Sequence, residues 1–272
     1  MAPSETTLEF CNRLWNNWTP KNGKNQCEGC PAHWSNRSDF PGDADTRQSS
    51  HGHRPWYGDG DLTDVEVVFF GHEPGPGSIG EESGDATNHT ERSFADVRNP
   101  NIAEVPDGAG QWFPLTKPLF ERVGSAFPSY WTQAKKCNEL PENNEAAEHQ
   151  CAGIGDEHEG YLSQELSAVD PSYVIGFGED VYRILTGVYD IEQLGSGFDK
   201  PVASGESPSG LRPLEVENAD FTYIPTVHPT RGVQPDTKDQ IELESQSGQS
   251  DSERYYEMFA DDFISQVETG TI

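Results

Sequence analysis

The sequence predicts an α/β fold organised around a central, mainly parallel sheet, and three observations carry that prediction. The run Val67-Val68-Phe69-Phe70 is uninterruptedly apolar and breaks into Gly71-His72-Glu73-Pro74-Gly75, as a buried parallel strand does at its carboxyl end. Tyr173 to Gly178 and Phe221 to Val227 repeat that pattern of a short apolar run feeding a turn. Between these runs lie segments with apolar residues at helical spacing, so strand and helix alternate.

In chain order, residues 33–60 are rich in Ser, Asp, Gly and Arg and read as an exposed connection into the first strand. The polar stretch 78–107, with Phe94 as its only aromatic residue, exceeds the usual length of a loop. Trp112, Phe113, Leu115, Leu119, Phe120 and Val123 follow broadly helical spacing, and Pro114 and Pro118 place the helix start at about Thr116. Tyr130 to Ala134 reads as a short strand. A helix from about Gly160 carries Leu162, Leu166 and Val169 on one face and stops at Asp170-Pro171. Val181, Ile184 and Leu185 mark a short helix closed by Gly187. Residues 195–219 show no periodicity, and 236–250 read as linker. A terminal helix over about 252–267 turns Tyr255, Met258, Phe259 and Phe263 toward the core. One domain over 1–272 is expected, its core spanning about 27–232.

The charge balance is extreme, with 47 acidic against 18 basic residues and a formal net charge of −29. Six tryptophans and thirteen phenylalanines argue against disorder as the cause. Self-repulsion of this size destabilises a compact state unless screened, and at 1 M salt the Debye length falls to about 3 Å. The composition therefore predicts adaptation to a high-salt cytoplasm. In such a medium acidity says little against nucleic-acid binding, because counterion release contributes little there. No run approaches the roughly 18 apolar residues of a membrane span, and the polar start lacks a signal-peptide pattern. A cytoplasmic protein with no membrane partner and no obligate protein partner is expected.

Five cysteines in such a chain point to metal or redox use more than to disulfides. Cys27-Glu28-Gly29-Cys30 is a CxxC on a loop, Cys137 and Cys151 form a later pair, and Cys11 is left over as a packed thiol. Four thiolates suit either an iron–sulfur cluster or tetrahedral zinc.

Beside these cysteines stand two strand-terminal loops, Gly71-His72-Glu73-Pro74-Gly75 and Val227-His228-Pro229-Thr230. With Trp131-Thr132-Gln133-Ala134-Lys135-Lys136-Cys137 and the strand Tyr173 to Gly178 they run in a fixed order. From about Cys27 to Gly232 the chain resembles the uracil-DNA glycosylase superfamily, most closely its iron–sulfur branch, usually called family four. The resemblance implies a three-layer α/β/α sandwich and hydrolysis of the uracil–deoxyribose bond in DNA, with the base flipped out of the stack. It implies that Cys27, Cys30, Cys137 and Cys151 hold a [4Fe–4S] cluster with a structural role, zinc being the alternative.

The resemblance also implies site roles. His228 donates to the oxyanion that develops on the departing uracil. Gln133 stands where the family reads the base with an amide, one methylene longer here. Phe94 is the candidate for stacking on the base, with Trp112 behind it, and Gly71, Pro74, Gly75, Pro229 and Thr230 complete the pocket loops. The opening loop departs from the family: its acidic position is His72, and the carboxylate follows as Glu73. Glu73 could orient water or balance the sugar cation, and His72 could contact the base or position water. Lys135 and Lys136 read first as solvated charges and second as phosphate contacts. The rival readings are a non-catalytic relative that binds uracil-containing or abasic DNA, and a glycosylase for another damaged base.

Overall fold

The computed structural model describes residues 9–10, 57–58, 64–72, 113–135, 151–154, 160–194, 198, 202, 204–229, 233–241, 243 and 248–272. They form an α/β fold. Its strands are β1 (Tyr57–Gly58), β2 (Val67–Gly71), β3 (Ser129–Gln133), β4 (Tyr173–Phe177) and β5 (Thr222–Thr226), in the spatial order β1-β3-β2-β4-β5. The last four are mutually parallel, and β1 adds a two-residue antiparallel edge to β3. The apolar run that opens β2 sits at the centre of this sheet. Val67, Val68, Phe69 and Phe70 are all fully buried, each worth about 1.5–3 kcal/mol of transfer free energy.

Among the described residues the helices are, in chain order, α1 (Phe113–Ala126), α2 (Tyr161–Val169), α3 (Glu179–Val188), α4 (Pro235–Gln240) and α5 (Asp251–Glu268). The path from β2 to β3 runs one way across the sheet, whereas β3 to β4 and β4 to β5 run the other way. Right-handed crossovers then require α1 to lie on one face and α2 and α3 on the opposite face. Side-chain contacts agree with that requirement. Phe120 of α1 meets Phe69, Trp131 and Phe177, and α5 joins the same face through Tyr256 on Phe177 and Phe263 on Tyr173. Tyr130 and Thr132, which alternate with Trp131 along β3, both donate to the buried Glu165 carboxylate of α2. Tyr223, which alternates with Ile224 along β5, stacks on Tyr182 of α3.

Several expectations need correction. The first helix begins at Phe113 rather than Thr116, because Pro114 falls in the first turn, where a missing N–H removes no helical bond. Pro118 is accommodated inside the helix. Gly187 does not close α3. The helix runs on to Val188, and a Cβ at Gly187 would press on Ile154, so this glycine permits close packing. The supposed linker 236–250 holds most of α4, with Thr237, Ile241 and Leu243 buried, and the supposed exposed connection 33–60 contains β1. In the aperiodic stretch 195–219, Phe198, Val202, Leu211, Leu214 and Val216 are buried, and Leu214 exchanges both backbone hydrogen bonds with Tyr223. That bridge covers the outer edge of β5. Met258 is only partly buried, and Tyr256 takes its place in the core-facing set of α5.

No helix among the described residues is long and apolar enough to cross a membrane.

Candidate functional site

A parallel sheet brings the ends of its strands level. The register pairs Gln133 with Gly71, Phe70 with Gly176, and Phe177 with Thr226, so Gln133, Gly71, Phe177 and Thr226 form one row across β3, β2, β4 and β5. The row spans roughly 14 Å at the usual strand spacing. The chain leaves β2 toward one edge of the sheet and leaves β4 toward the other, which makes the carboxyl ends of these two strands a topological switch point. Open α/β sheets place ligands in the crevice at such a point.

On the β2–β3 side the ladder continues past the strand ends. The Ala134 N–H donates to the Gly71 carbonyl at 2.8 Å and the Lys135 N–H to the His72 carbonyl at 2.9 Å. His72 is therefore held beside the segment that follows Gln133. The Gln133 side chain lies across Gly71 so closely that a Cβ there would overlap Oε1 and crowd Cδ and the Trp131 ring. Gly71 thus leaves the space that the Gln133 amide occupies. The atoms Gln133 Oε1 and His72 Nε2 are both shielded from solvent.

On the β4–β5 side the imidazole of His228 rests on Gly178. Gly178 has φ +86°, and a Cβ at that position would stand 3.0 Å from His228 Cβ and Cδ2. The Gly178 N–H donates to the Thr226 carbonyl at 2.8 Å, which ties the end of β4 to the strand that leads into His228. From α5, the Tyr256 hydroxyl donates to the Val227 carbonyl at 2.7 Å, and Tyr255 and Thr226 share a hydroxyl hydrogen bond of 3.0 Å. Burial, reinforced by Tyr255, raises the Tyr256 phenol well above its ordinary value and keeps it a donor. Glu179 and Asp180 fill the first turn of α3 with negative charge. That suits the helix dipole and leaves this helix end poorly suited to a phosphate.

The structure therefore brings Gly71, His72 and Gln133 to one side of a single sheet edge, and His228 and Pro229 to the other. Glu73, Pro74, Gly75, Phe94, Trp112, Thr230 and Lys136 lie outside the described residues. Lys135 is fully buried, which corrects its reading as a solvated charge and keeps it from reaching a phosphate at the surface. Among the cysteines, only Cys151 is described. It is a buried thiol, and the backbone of Ala152 and Gly153 next to it packs against Gly160 at the start of α2. Cys11, Cys27, Cys30 and Cys137 lie outside the described residues, and no group of three or more His, Cys, Asp or Glu side chains placed to hold a metal ion occurs among the described ones.

Sequence reasoning missed Gly178 as the floor under His228, and Tyr255 and Tyr256 as its support. The turn after β4 was visible as Phe177-Gly178, but nothing local says which later strand would lie against it. No protein-family model matches this chain, and no curated protein matches it in sequence.

Proposed function

We propose that this chain is a uracil-DNA glycosylase-like hydrolase with a three-layer α/β/α fold, cleaving the N-glycosidic bond of uracil in DNA to leave an abasic site. One observation carries the reading: an amide, an imidazole and a second imidazole, from motifs far apart in sequence, share one carboxyl edge of the sheet at its switch point. A base flipped into that crevice would meet Gln133 on one side and His228 on the other. Cleavage moves negative charge onto the departing base, and an N–H of His228 aimed at the base oxygen lowers the barrier by stabilising that charge. His72 or Glu73 orients the attacking water, and Phe94 stacks on the base. Cys27, Cys30 and Cys137 would join Cys151 to hold a [4Fe–4S] cluster, or zinc, as a brace across the long loops.

The test uses the full chain in molar KCl with uracil-containing single- and double-stranded oligonucleotides, followed by alkali cleavage. Strand breaks at uracil are expected. His228→Ala is expected to slow their appearance by about 10²–10³-fold, the usual cost of removing an oxyanion donor. DNA that is bound but never cleaved would overturn the enzyme in favour of a binding protein. Breaks only at another damaged base in a substrate panel would assign a different lesion. A brown colour with visible charge-transfer absorbance distinguishes the cluster from zinc.

A further inference from the structure

The peptide group between Val227 and His228 is planar, so the Val227 carbonyl and the His228 Cα move as one rigid plate. The Tyr256 hydroxyl holds that carbonyl at 2.7 Å from a helix 29 residues further along the chain. Tyr256 is itself fully buried, edge-on to Tyr255 at 5.2 Å and tilted against Phe177 at 6.0 Å. Phe177 in turn packs on Trp131 and Phe69, so the phenol is anchored to three strands of the sheet. One residue earlier, Thr226 is held twice, by its hydroxyl to Tyr255 and by its carbonyl to the Gly178 N–H. Below, Gly178 closes off the space into which the imidazole could otherwise drop.

We propose that Tyr256, seconded by Tyr255, is a positioning residue for His228, fixing the plate that carries the imidazole so that α5 completes the site without contacting substrate. The proposal rests on the reading of His228 as the group facing the base. The hydrogen bond contributes to turnover by keeping the imidazole N–H on a fixed line and leaves ground-state binding of DNA to other groups. A donor whose only task was to satisfy a buried carbonyl would affect stability and nothing else.

The test uses the full chain labelled with ¹⁵N-histidine, in molar KCl, as wild type, Tyr256→Phe and Tyr255→Phe, with the His228 signal assigned from His228→Gln. Tyr256→Phe is expected to shift and broaden the His228 imidazole resonance. It is also expected to lower the maximal single-turnover rate of uracil release by about tenfold, a usual cost of loosened geometry, while half-saturation by DNA changes less than twofold. Tyr255→Phe is expected to act in the same direction and less strongly. Tyr256→Met, which keeps apolar bulk without the hydroxyl, replaces the phenylalanine variant if that variant does not fold. An unmoved His228 resonance in a folded variant overturns the positioning role, as does a fall in stability with rate and resonance both unchanged. If the resonance moves as expected but the wild type releases no uracil, positioning stands and the glycosylase reading fails.

Discussion

Gly71 and Gly178 shape the candidate site by the atoms they lack. At Gly71 the missing Cβ is the space that the Gln133 amide occupies, and at Gly178 it is the space against which His228 rests. The φ of +86° at Gly178 also needs a residue without a side-chain penalty in that region. A third close approach, at Gly176, has a different outcome. A Cβ there would stand 2.6 Å from the Tyr223 hydroxyl, which is buried and makes no hydrogen bond among the described residues. Burial, with a smaller contribution from Tyr182, pushes the Tyr223 phenol well above its ordinary value, so it stays protonated throughout the physiological range. A buried hydroxyl without a partner loses its hydration for no return. Tyr223→Phe is therefore expected to leave stability unchanged or raise it by up to about 1 kcal/mol, read from the denaturant midpoint. A loss larger than that would show that a group beyond the described residues bonds the hydroxyl.

At the scale of elements, the terminal helix α5 does two jobs with two faces. Its inner face places Tyr255, Tyr256, Phe259, Ala260 and Phe263 in the core. Its outer face meets α1 through Arg122, which pairs with Glu257 and Asp261, while Arg254 and Gln249 also reach Glu257. The helix start is fixed by a capping box between Ser250 and Glu253. The hydrogen bond from Gln249, then those from Arg254 and the charges of Arg122 and Arg254, hold the Glu257 carboxyl below its ordinary value, with burial opposing them. A lowered folded-state value stabilises the fold above the unfolded value of 4.5, and that contribution is lost as pH falls through the folded value. Glu257→Gln is expected to cost about 0.5–1 kcal/mol at pH 7 after solvent screening, and the difference from wild type should shrink below pH 4.5. Thermal midpoints of both proteins from pH 7 to strongly acid conditions check this. A gap that stayed constant with pH would exclude the charge as its cause. Arg122 is held more firmly protonated, chiefly by its hydrogen bond to Asp261, and adds no pH dependence in this window.

For the whole molecule, the formal charge of −29 predicts a fold whose stability depends on salt. With so few cations, ion pairs such as Arg122 with Glu257 and Lys238 with Asp251 neutralise only a small part of the excess. Raising KCl from low to molar concentration is expected to raise the thermal midpoint by at least about 5 °C, on the order of 2 kcal/mol for a chain of this size. Potassium chloride separates screening from the general salting-out effect of sulfate. A midpoint that stayed flat or fell with KCl would overturn the high-salt reading of the composition.

The sequence by itself determined the elements whose cause is local. The apolar runs of β2, β4 and β5 are strands because both faces of these parallel strands are covered, and α2 and α5 follow from their spacing of apolar residues. It also marked Gly71, His72, Gln133 and His228 as residues of chemical interest at strand ends. Tertiary structure alone decided the order β1-β3-β2-β4-β5, and with it which strand ends become neighbours. It decided that Gly71 lies under Gln133 and Gly178 under His228, that Lys135 is buried, and that Tyr256 reaches the carbonyl before His228. Each of these is a contact between segments far apart in the chain. Spacing and composition describe a residue's near neighbours in sequence, whereas such contacts depend on how crossovers pack across a sheet.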